Sequence, residues 1–439
     1  MKMKGFKGFN AKLQCRDFQF EIGKEYEEKG ARCCNHGFHF CENPLDVLIY
    51  YPPANSRYCE VEGSGEIDKG GQYDSKVAVS NIRIGEEIGL LGLIKAGVEY
   101  IKSKVDWENA KESNTGNRSV ATNTEYRSAA TNTGNYSVAT NTGDCSAATN
   151  TGNYSATTNT GNRSVATNTG ECSAATNIGD YSVATNIGDY SVATNTGDQS
   201  AATNTGDQSA ATNTGYQSAA TNTGDQSAAT NTGDHSAATN TGDYSAATNT
   251  GYQSAATNTG YQSAATNTGN HSDATNTGNH SAATNTGYQS AATNSGNHSA
   301  ATNTGNCSVA TNSGYRSVAT NSGNHSVATN SGNHSVATNS GNHSAATNIG
   351  DYSVATSTGD QSVATVEGED SIACSLGLKG KAKGKKGCWL VLAQWETSFG
   401  YRKLLEVKSV LVDGEIIKED TFYTLIDGQV VEVVEVESR

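Results

Sequence analysis

From Ser119 to Ser371 the chain repeats one nine-residue unit, Ser-Ala/Val-Ala-Thr-Asn-Thr-Gly-x-x, with almost no variation. Starts at Ser119, Ser128, Ser137, Ser146, Ser155 and onward to Ser353 and Ser362 make 28 copies in a chain of 439 residues. A fixed short period means one structural unit stacked on itself. Nine residues are too few for a helical repeat, and the unit lacks an apolar 3.6 pattern. Its period is two, which is the period of a strand. With Ser as position 1, one face carries Ser, Ala, Asn and Gly, and the other carries Ala/Val, Thr and Thr/Ser/Ile. Positions 8 and 9 vary.

The exceptions say which face is inside. Asp273 stands at position 2, so that position faces water. Position 3 departs from Ala only at Thr157, and position 5 departs from Asn at Ser357, both small changes. The expected interior is therefore a thin layer of Ser, Ala and Asn, with Ser and Asn hydrogen-bonding along the axis as stacked ladders do. One unit cannot close around such a layer. Two can, giving two short strands and two Gly-centred turns per 18 residues. The fold class that follows is mostly β: a parallel two-sided β-solenoid, a β-roll with two nonapeptides per coil. At about 4.8 Å per coil, about 14 coils give a rod of about 65–70 Å. Each coil touches only its neighbours, so the ends need caps.

The alternation of Ser, Ala, Asn and Gly on one face resembles the head repeats of trimeric autotransporter adhesins, which are β-rolls. It also resembles nonapeptide repeats of bacterial and phage proteins. Those resemblances imply a structural or adhesin-like role and a phage or bacterial assembly setting.

Composition narrows the classes. The net charge of −14 argues against a basic nucleic-acid face. The opening Met1-Lys-Met-Lys-Gly-Phe has no apolar run of signal-peptide length, and no stretch is long enough for a membrane helix. Ten cysteines show no disulfide framework; Cys33 and Cys34 are adjacent, and Cys145, Cys172 and Cys307 sit in variable turns. Reduced thiols and a cytoplasmic or virion-associated location are expected.

Residues 1–112 read as a separate α+β domain. Strands are expected at Phe18–Ile22, Gly37–Cys41, Tyr58–Glu62 and Val77–Ile84. Asn43 caps a short helix with Pro44 in its first turn and Leu45, Leu48 and Ile49 on its buried side. An amphipathic helix is expected from Glu86 to Lys104, with Leu90, Leu91, Ile94, Val98 and Ile101 on one stripe. It, or the segment through Trp107, is expected to cap the first coil. The residues Lys4-Gly-Phe, Cys15-Arg-Asp-Phe-Gln-Phe and Gly37-Phe-His-Phe-Cys-Glu-Asn-Pro-Leu-Asp46 resemble a domain of unknown function of bacterial and phage proteins. They are also faintly similar to ADP-ribosyltransferase-like folds. That likeness implies NAD chemistry, with His39 on the nicotinamide side and Glu60 or Glu62 as the acid.

After residues 113–370, the repeat region, residues 371–439 read as a β-rich capping domain. Ser371-Ile-Ala-Cys-Ser-Leu-Gly377 keeps the alternation, and Gly380–Gly384 makes a short basic coil. Strands Cys388–Ala393, Leu404–Val412, Thr421–Leu425 and Val430–Val436 follow, with turns at Asp413-Gly414 and Asp427-Gly428.

Four surfaces are candidates for function. The outward Thr-x-Thr pairs, such as Thr149/Thr151 and Thr203/Thr205, would form a flat hydroxyl lattice. They resemble the arrays of insect antifreeze proteins, which implies ice binding; the plain alternative is a soluble strand face. Turn residues Tyr216, Tyr252 and Tyr261, each followed by Gln, offer an edge for a protein or glycan partner. His325 and His343 are 18 apart and weak candidates for metal. The Gly143-Asp144 and Gly197-Asp198 turns resemble calcium-binding nonapeptide rolls but lack their further glycines. There is no P-loop, nucleophile elbow, dinucleotide fingerprint or zinc spacing. The expected protein is a non-enzymatic rod without cofactor. It is free of nucleic acid and of a membrane span, and it is open to homo-oligomer formation through its uncharged faces.

Overall fold

The computed structural model describes residues 2–51, 56–69, 75–89, 92–93, 96–97, 100, 113–398 and 401–434, without the side chains of Leu45 and Leu48. The chain is a parallel β-solenoid of about 16 turns over residues 113–392, with a small β domain before it and a β part after it. It divides into two compact units, Met1–Thr239 and Asn240–Arg439.

The first unit begins with an antiparallel sheet that closes on itself. Strand Met3–Asn10 pairs with Ser56–Lys69 and with Phe38–Cys41. Lys76–Glu87 pairs with both of those partners and completes a four-strand ring. Two register shifts, between Cys59 and Val61 and between Ser64 and Ile67, bend the long strand enough to close it. Phe9, Phe20, Phe38, Phe40, Val61, Val79, Ile82 and Ile84 fill the interior. Glycines make room for the largest ring: a Cβ on Gly5 or Gly63 would fall 2.3 or 2.5 Å from Phe40.

The domain is thus a small β-barrel, and the short helix expected after Asn43 is a single 3-10 turn, Pro44–Ile49. Pro44, Asp46 and Val47 are buried in it, and the side chains of Leu45 and Leu48, expected on its buried side, lie outside the described residues. Ile49 is only half-buried. Helical conformation continues at Gly89, Gly92, Leu93, Ala96, Gly97 and Tyr100. The expected stripe of Leu90, Leu91, Ile94, Val98 and Ile101, and Trp107, lie outside the described residues. Sequence reasoning missed the first strand because its phenylalanines, Phe6 and Phe9, are three apart and break the two-residue rhythm.

Each repeat then contributes one four-residue strand, and every strand pairs in parallel with the one 18 residues away. Ala129 faces Ala147, Thr131 faces Thr149 and Asn132 faces Asn150. Two sheets result in each unit. In the first unit, sheet 1 holds the strands starting at Ala129, Ala147, Val165, Val183 and Ala201. Sheet 2 holds those starting at Val120, Val138, Ala156, Ala174 and Val192. The interior is the expected one of Ser, Ala and Asn.

The polar interior is knitted differently from a pair of simple ladders. Serines do form one along the axis: Ser182 N–H donates to Ser200 Oγ at 2.9 Å, and Ser200 N–H to Ser218 Oγ at 3.0 Å. Asparagines reach across the core. Asn195 Nδ2 donates to the Ser182 carbonyl of the preceding half-coil at 2.9 Å and to the Ala201 carbonyl of the next at 3.3 Å. Its Oδ1 accepts from Gly197 N–H at 2.9 Å. One amide side chain thus joins both sheets and fastens the turn, so a buried Asn is fully used.

The turn chemistry also differs from expectation. The repeat glycine is not the left-handed residue. A Cβ on Gly197 would lie 2.1 Å from the Gly179 carbonyl oxygen of the previous coil, so Gly is required by close stacking. The left-handed residue is the variable position 9, with φ of 57° at Tyr190, 52° at Gln199 and 54° at His235. Its N–H is satisfied by the next coil, as Gln199 N–H donates to the Tyr216 carbonyl at 2.7 Å.

The second unit repeats this pairing from Ala246 onward and carries it past residue 370, through the segment expected to keep the alternation and the short basic coil after it. Ile372–Ser375, Lys381–Lys383 and the start of Trp389–Ser398 still stack in parallel. Antiparallel pairs then close both sheets: Tyr401–Leu411 on Trp389–Ser398, and the hairpin Tyr423–Ile426 with Gln429–Glu432 on Lys381–Lys383. Leu390, Leu392, Val412, Ile417, Tyr423 and Leu425 seal the last alanines. The turn at Asp427-Gly428 has both residues at positive φ, 48° and 70°. Asp413 closes the other turn by accepting three N–H groups, from Glu415, Ile416 and Ile417, at 2.8 to 3.0 Å.

Candidate functional site

The outward Thr pairs are not equivalent. Position 6 is exposed, as at Thr151 and Thr205, while Thr149 at position 4 is half-buried. Thr203, expected outside, is 1% exposed. The reason is the N-terminal domain, which lies against sheet 1 of its own unit. Cys41, Val47, Tyr58 and Leu93 pack with Ala147, Val165, Val183 and Ala201. Arg163 reaches Asp46 across this contact at 3.8 Å. Thr167, Thr185 and Thr203 hydroxyls lose water there and gain no hydrogen-bond partner among the described residues. The domain thus covers a flat face of the solenoid, while the segment through Trp107, expected with the preceding helix to cap the first coil, lies outside the described residues. A continuous hydroxyl lattice is left only on uncovered sheets.

The turn residues form ladders. In the second unit the rings of Tyr244, Tyr261, His280, His298, Tyr315, His334 and Tyr352 run in an unbroken series, centroid to centroid 4.9 to 6.0 Å. Tyr261 belongs to it. Tyr252 contacts His271, and in the first unit Tyr216 contacts His235, each at 5.3 Å. In the stacked steps the ring faces meet each other, which leaves edges and hydroxyls outward.

His325 and His343 stack at 5.0 Å with 3° between their planes. Parallel rings hold their in-plane lone pairs side by side, so the pair does not converge on one point at a nitrogen–metal distance of about 2.0–2.1 Å. The turn acids are spent on structure. Asp144 Oδ1 accepts from Asn162 N–H and Asp198 Oδ1 from Tyr216 N–H, both at 2.9 Å. The carboxylates thus hold the next turn in place.

A site that sequence reasoning missed lies in the small barrel. Gly5, Lys7 and Phe9 share one face of the first strand, which points inward, and Lys7 is 4% exposed. The Lys7 ammonium donates to the His39 carbonyl at 2.7 Å and to Cys15 Sγ at 3.6 Å. It sits 5.6 and 5.5 Å from the ring centres of Phe9 and Phe20. Burial lowers its pKa, and proximity to Cys15 only partly offsets this. These groups border a cavity of about 760 Å³, whose walls include Arg16, Tyr50, Tyr51, Phe18, Phe38 and Lys76. His39 lines it and accepts from Cys34 N–H through Nε2 at 2.9 Å. Burial first, and then the Lys7 charge, lower the His39 pKa and favour the neutral ring. Burial and a hydrogen bond to Cys15 push the Tyr51 phenol up. Arg16 and Cys34 carry positive φ, 54° and 66°, at the cavity wall. The one sequence signal was the alternation itself, which puts Lys7 in register with Gly5 and Phe9.

The proposed acids are elsewhere. Glu60 is exposed, Glu62 pairs with Lys2 at 3.2 Å, and neither borders the His39 cavity.

The fold thus defines a β-solenoid protein with a docked N-terminal β-barrel. Residues 3–96, the barrel and the start of the helical segment, match a domain of unknown function, DUF7666. Comparison with curated proteins and with solved structures gave no match. Among the described residues no helix is long and apolar enough to cross a membrane.

Proposed function

We propose that the chain is a non-enzymatic scaffold, a β-solenoid rod that spaces its flanking domains and offers its turns to a protein partner. The supporting observation is how the repeat spends its residues. Ser, Asn and Gly are consumed in the lattice, and most position-8 acids and amides fasten the neighbouring turn. The widest variation in chemistry from coil to coil lies at positions 8 and 9. The ladder from Tyr244 to Tyr352 is the richest such surface. Four of its six ring contacts are edge-to-face and two are stacked, so the series presents a rigid, irregular aromatic edge of the kind that anchors protein partners. The likeness to adhesin and phage repeats supports an assembly setting. Ice binding is left with less surface, because sheet 1 of the first unit is covered.

Solution scattering with light-scattering mass on the full chain tests this reading. A monomer whose longest dimension exceeds the about 65–70 Å expected of 14 coils supports the spacer. A compact particle overturns it. A trimer replaces the exposed-edge reading with an adhesin-like assembly in which solenoid faces are buried.

A further inference from the structure

We infer that the barrel cavity is a binding site for a small organic anion with a flat unsaturated body, whose phosphate or carboxylate reaches Lys7. Lys7 is buried, and among the described residues no carboxylate forms an ion pair with it. Its neighbours are a backbone carbonyl, a thiol and two ring faces. A buried cation costs several kcal/mol unless a counter-charge is supplied, and a structural core gains more from an apolar side chain at that position. Among its described residues the barrel supplies no counter-charge, and it leaves open space beside the amine instead.

The walls define the rest of the ligand. Arg16 stands at the exposed rim in a left-handed conformation and makes no ion pair among the described residues. Lys76 adds a second cation to the wall, held at 2.8 Å by the Tyr50 hydroxyl. Against these stand Asp17 and Glu28, and Glu28 is already engaged by Gly37 N–H at 3.1 Å. The remaining lining includes the rings of Phe18, Phe20, Phe38, Tyr50 and Tyr51, beside His36 and His39. Cations and aromatic rings in one lining suit a planar anion. The volume of about 760 Å³ lies in the range of small-molecule sites, about 300–1,000 Å³. The lowered Lys7 pKa adds a signature. An arriving anion raises the Lys7 pKa, so binding takes up a proton in the pH range between the free and the bound value.

The test is calorimetric titration of the full chain with phenyl phosphate, benzoate and inorganic phosphate, each in two buffers of different ionisation enthalpy. The expected result is saturable one-site binding of an aromatic anion with proton uptake, and at least tenfold weaker binding of inorganic phosphate. Lys7→Met removes the proton uptake and weakens binding about tenfold or more, and Arg16→Ala at the rim weakens it to a lesser degree. Absence of saturable binding by both aromatic anions overturns the inference. So does binding unchanged in both variants. If Lys7→Met does not fold, competitive acetylation of the native chain decides, read by mass spectrometry. Phenyl phosphate protects Lys7 from acetic anhydride if the inference holds, and unchanged labelling of Lys7 overturns it.

Discussion

The two sheets of the first unit are built from the same sentence of sequence, yet they live in different surroundings. Sheet 1 is covered at Val165, Val183 and Ala201, which are almost fully buried beneath the barrel domain. Sheet 2 meets solvent at the same repeat position: Val120 is 63% and Val192 41% exposed. No residue type separates them, since Val and Ala occur at position 2 on both. The repeat therefore specifies the interior and leaves the exterior neutral. What covers a face is decided by the flanking segment, which brings Cys41, Val47, Tyr58 and Leu93 against it. The neutrality has a visible cost. Three threonine hydroxyls under the barrel keep no partner among the described residues, where a face evolved only for docking would carry apolar residues.

The largest predicted effects ignore the difference between the sheets. Asn186→Ala lies under sheet 1 and Asn195→Ala under sheet 2, and each removes an amide that holds both half-coils and a turn. Each is expected to cost roughly 3–5 kcal/mol, because carbonyl and N–H groups are left buried without partners. Chemical denaturation checks this, and unequal losses would mean that the interiors are not equivalent.

The next effect should split the sheets. Val183→Asp places a charge beneath the barrel domain and is expected to cost about 3 kcal/mol or to undock that domain. Val192→Asp on sheet 2 is expected to stay within about 0.5 kcal/mol, as a surface change. Asp273 already occupies this position, exposed, in the second unit. Limited proteolysis of the barrel domain beside thermal melts reads both. Equal sensitivity of the two variants would remove the docked arrangement.

A third test uses pH. Lys7 has its folded pKa lowered by burial from the ordinary value of 10.5. Between the folded and unfolded values the unfolded chain holds more protons, so stability rises with pH through that alkaline window. Lys7→Met abolishes that rise, while the Val192 variant keeps it. Glu87 gives the opposite limb: Arg57 holds its carboxyl below the usual range, so its contribution is present above the unfolded value and is lost as pH falls through the folded one.

The smallest effect belongs to the edge. Tyr261→Leu breaks the ring series between Tyr244 and His280 and is expected to cost about 0.5–1 kcal/mol. Partner binding, once a partner is in hand, is expected to fall far more than stability does.

Much of the solenoid was legible because the repeat states its own answer many times over. Strand period, buried face, 18-residue coil and the need for a cap all follow from positions 1 to 7. The asparagine geometry was not legible, since stacking along the axis and bridging across the core call for the same residue. Nor was the division of labour in the turn. Gly at position 7 suggests positive φ, but its lack of a Cβ serves the approach of the next coil, and Tyr, Gln or His at position 9 takes the left-handed conformation. In the first strand of the barrel, Lys7 reads as a surface lysine until the ring of strands closes around it.

By itself the sequence determined the stack, because nine residues repeated in register leave one way to satisfy Ser, Asn and Gly together. Only the tertiary structure decided which face would be covered and where a buried amine would meet a cavity. Both depend on segments far apart in the chain. Docking requires Val47 and Leu93 to meet Val183, and the cavity requires Lys7, Cys15 and His39 to meet inside a closed barrel. Such contacts are fixed by shape and burial, and no local period records them.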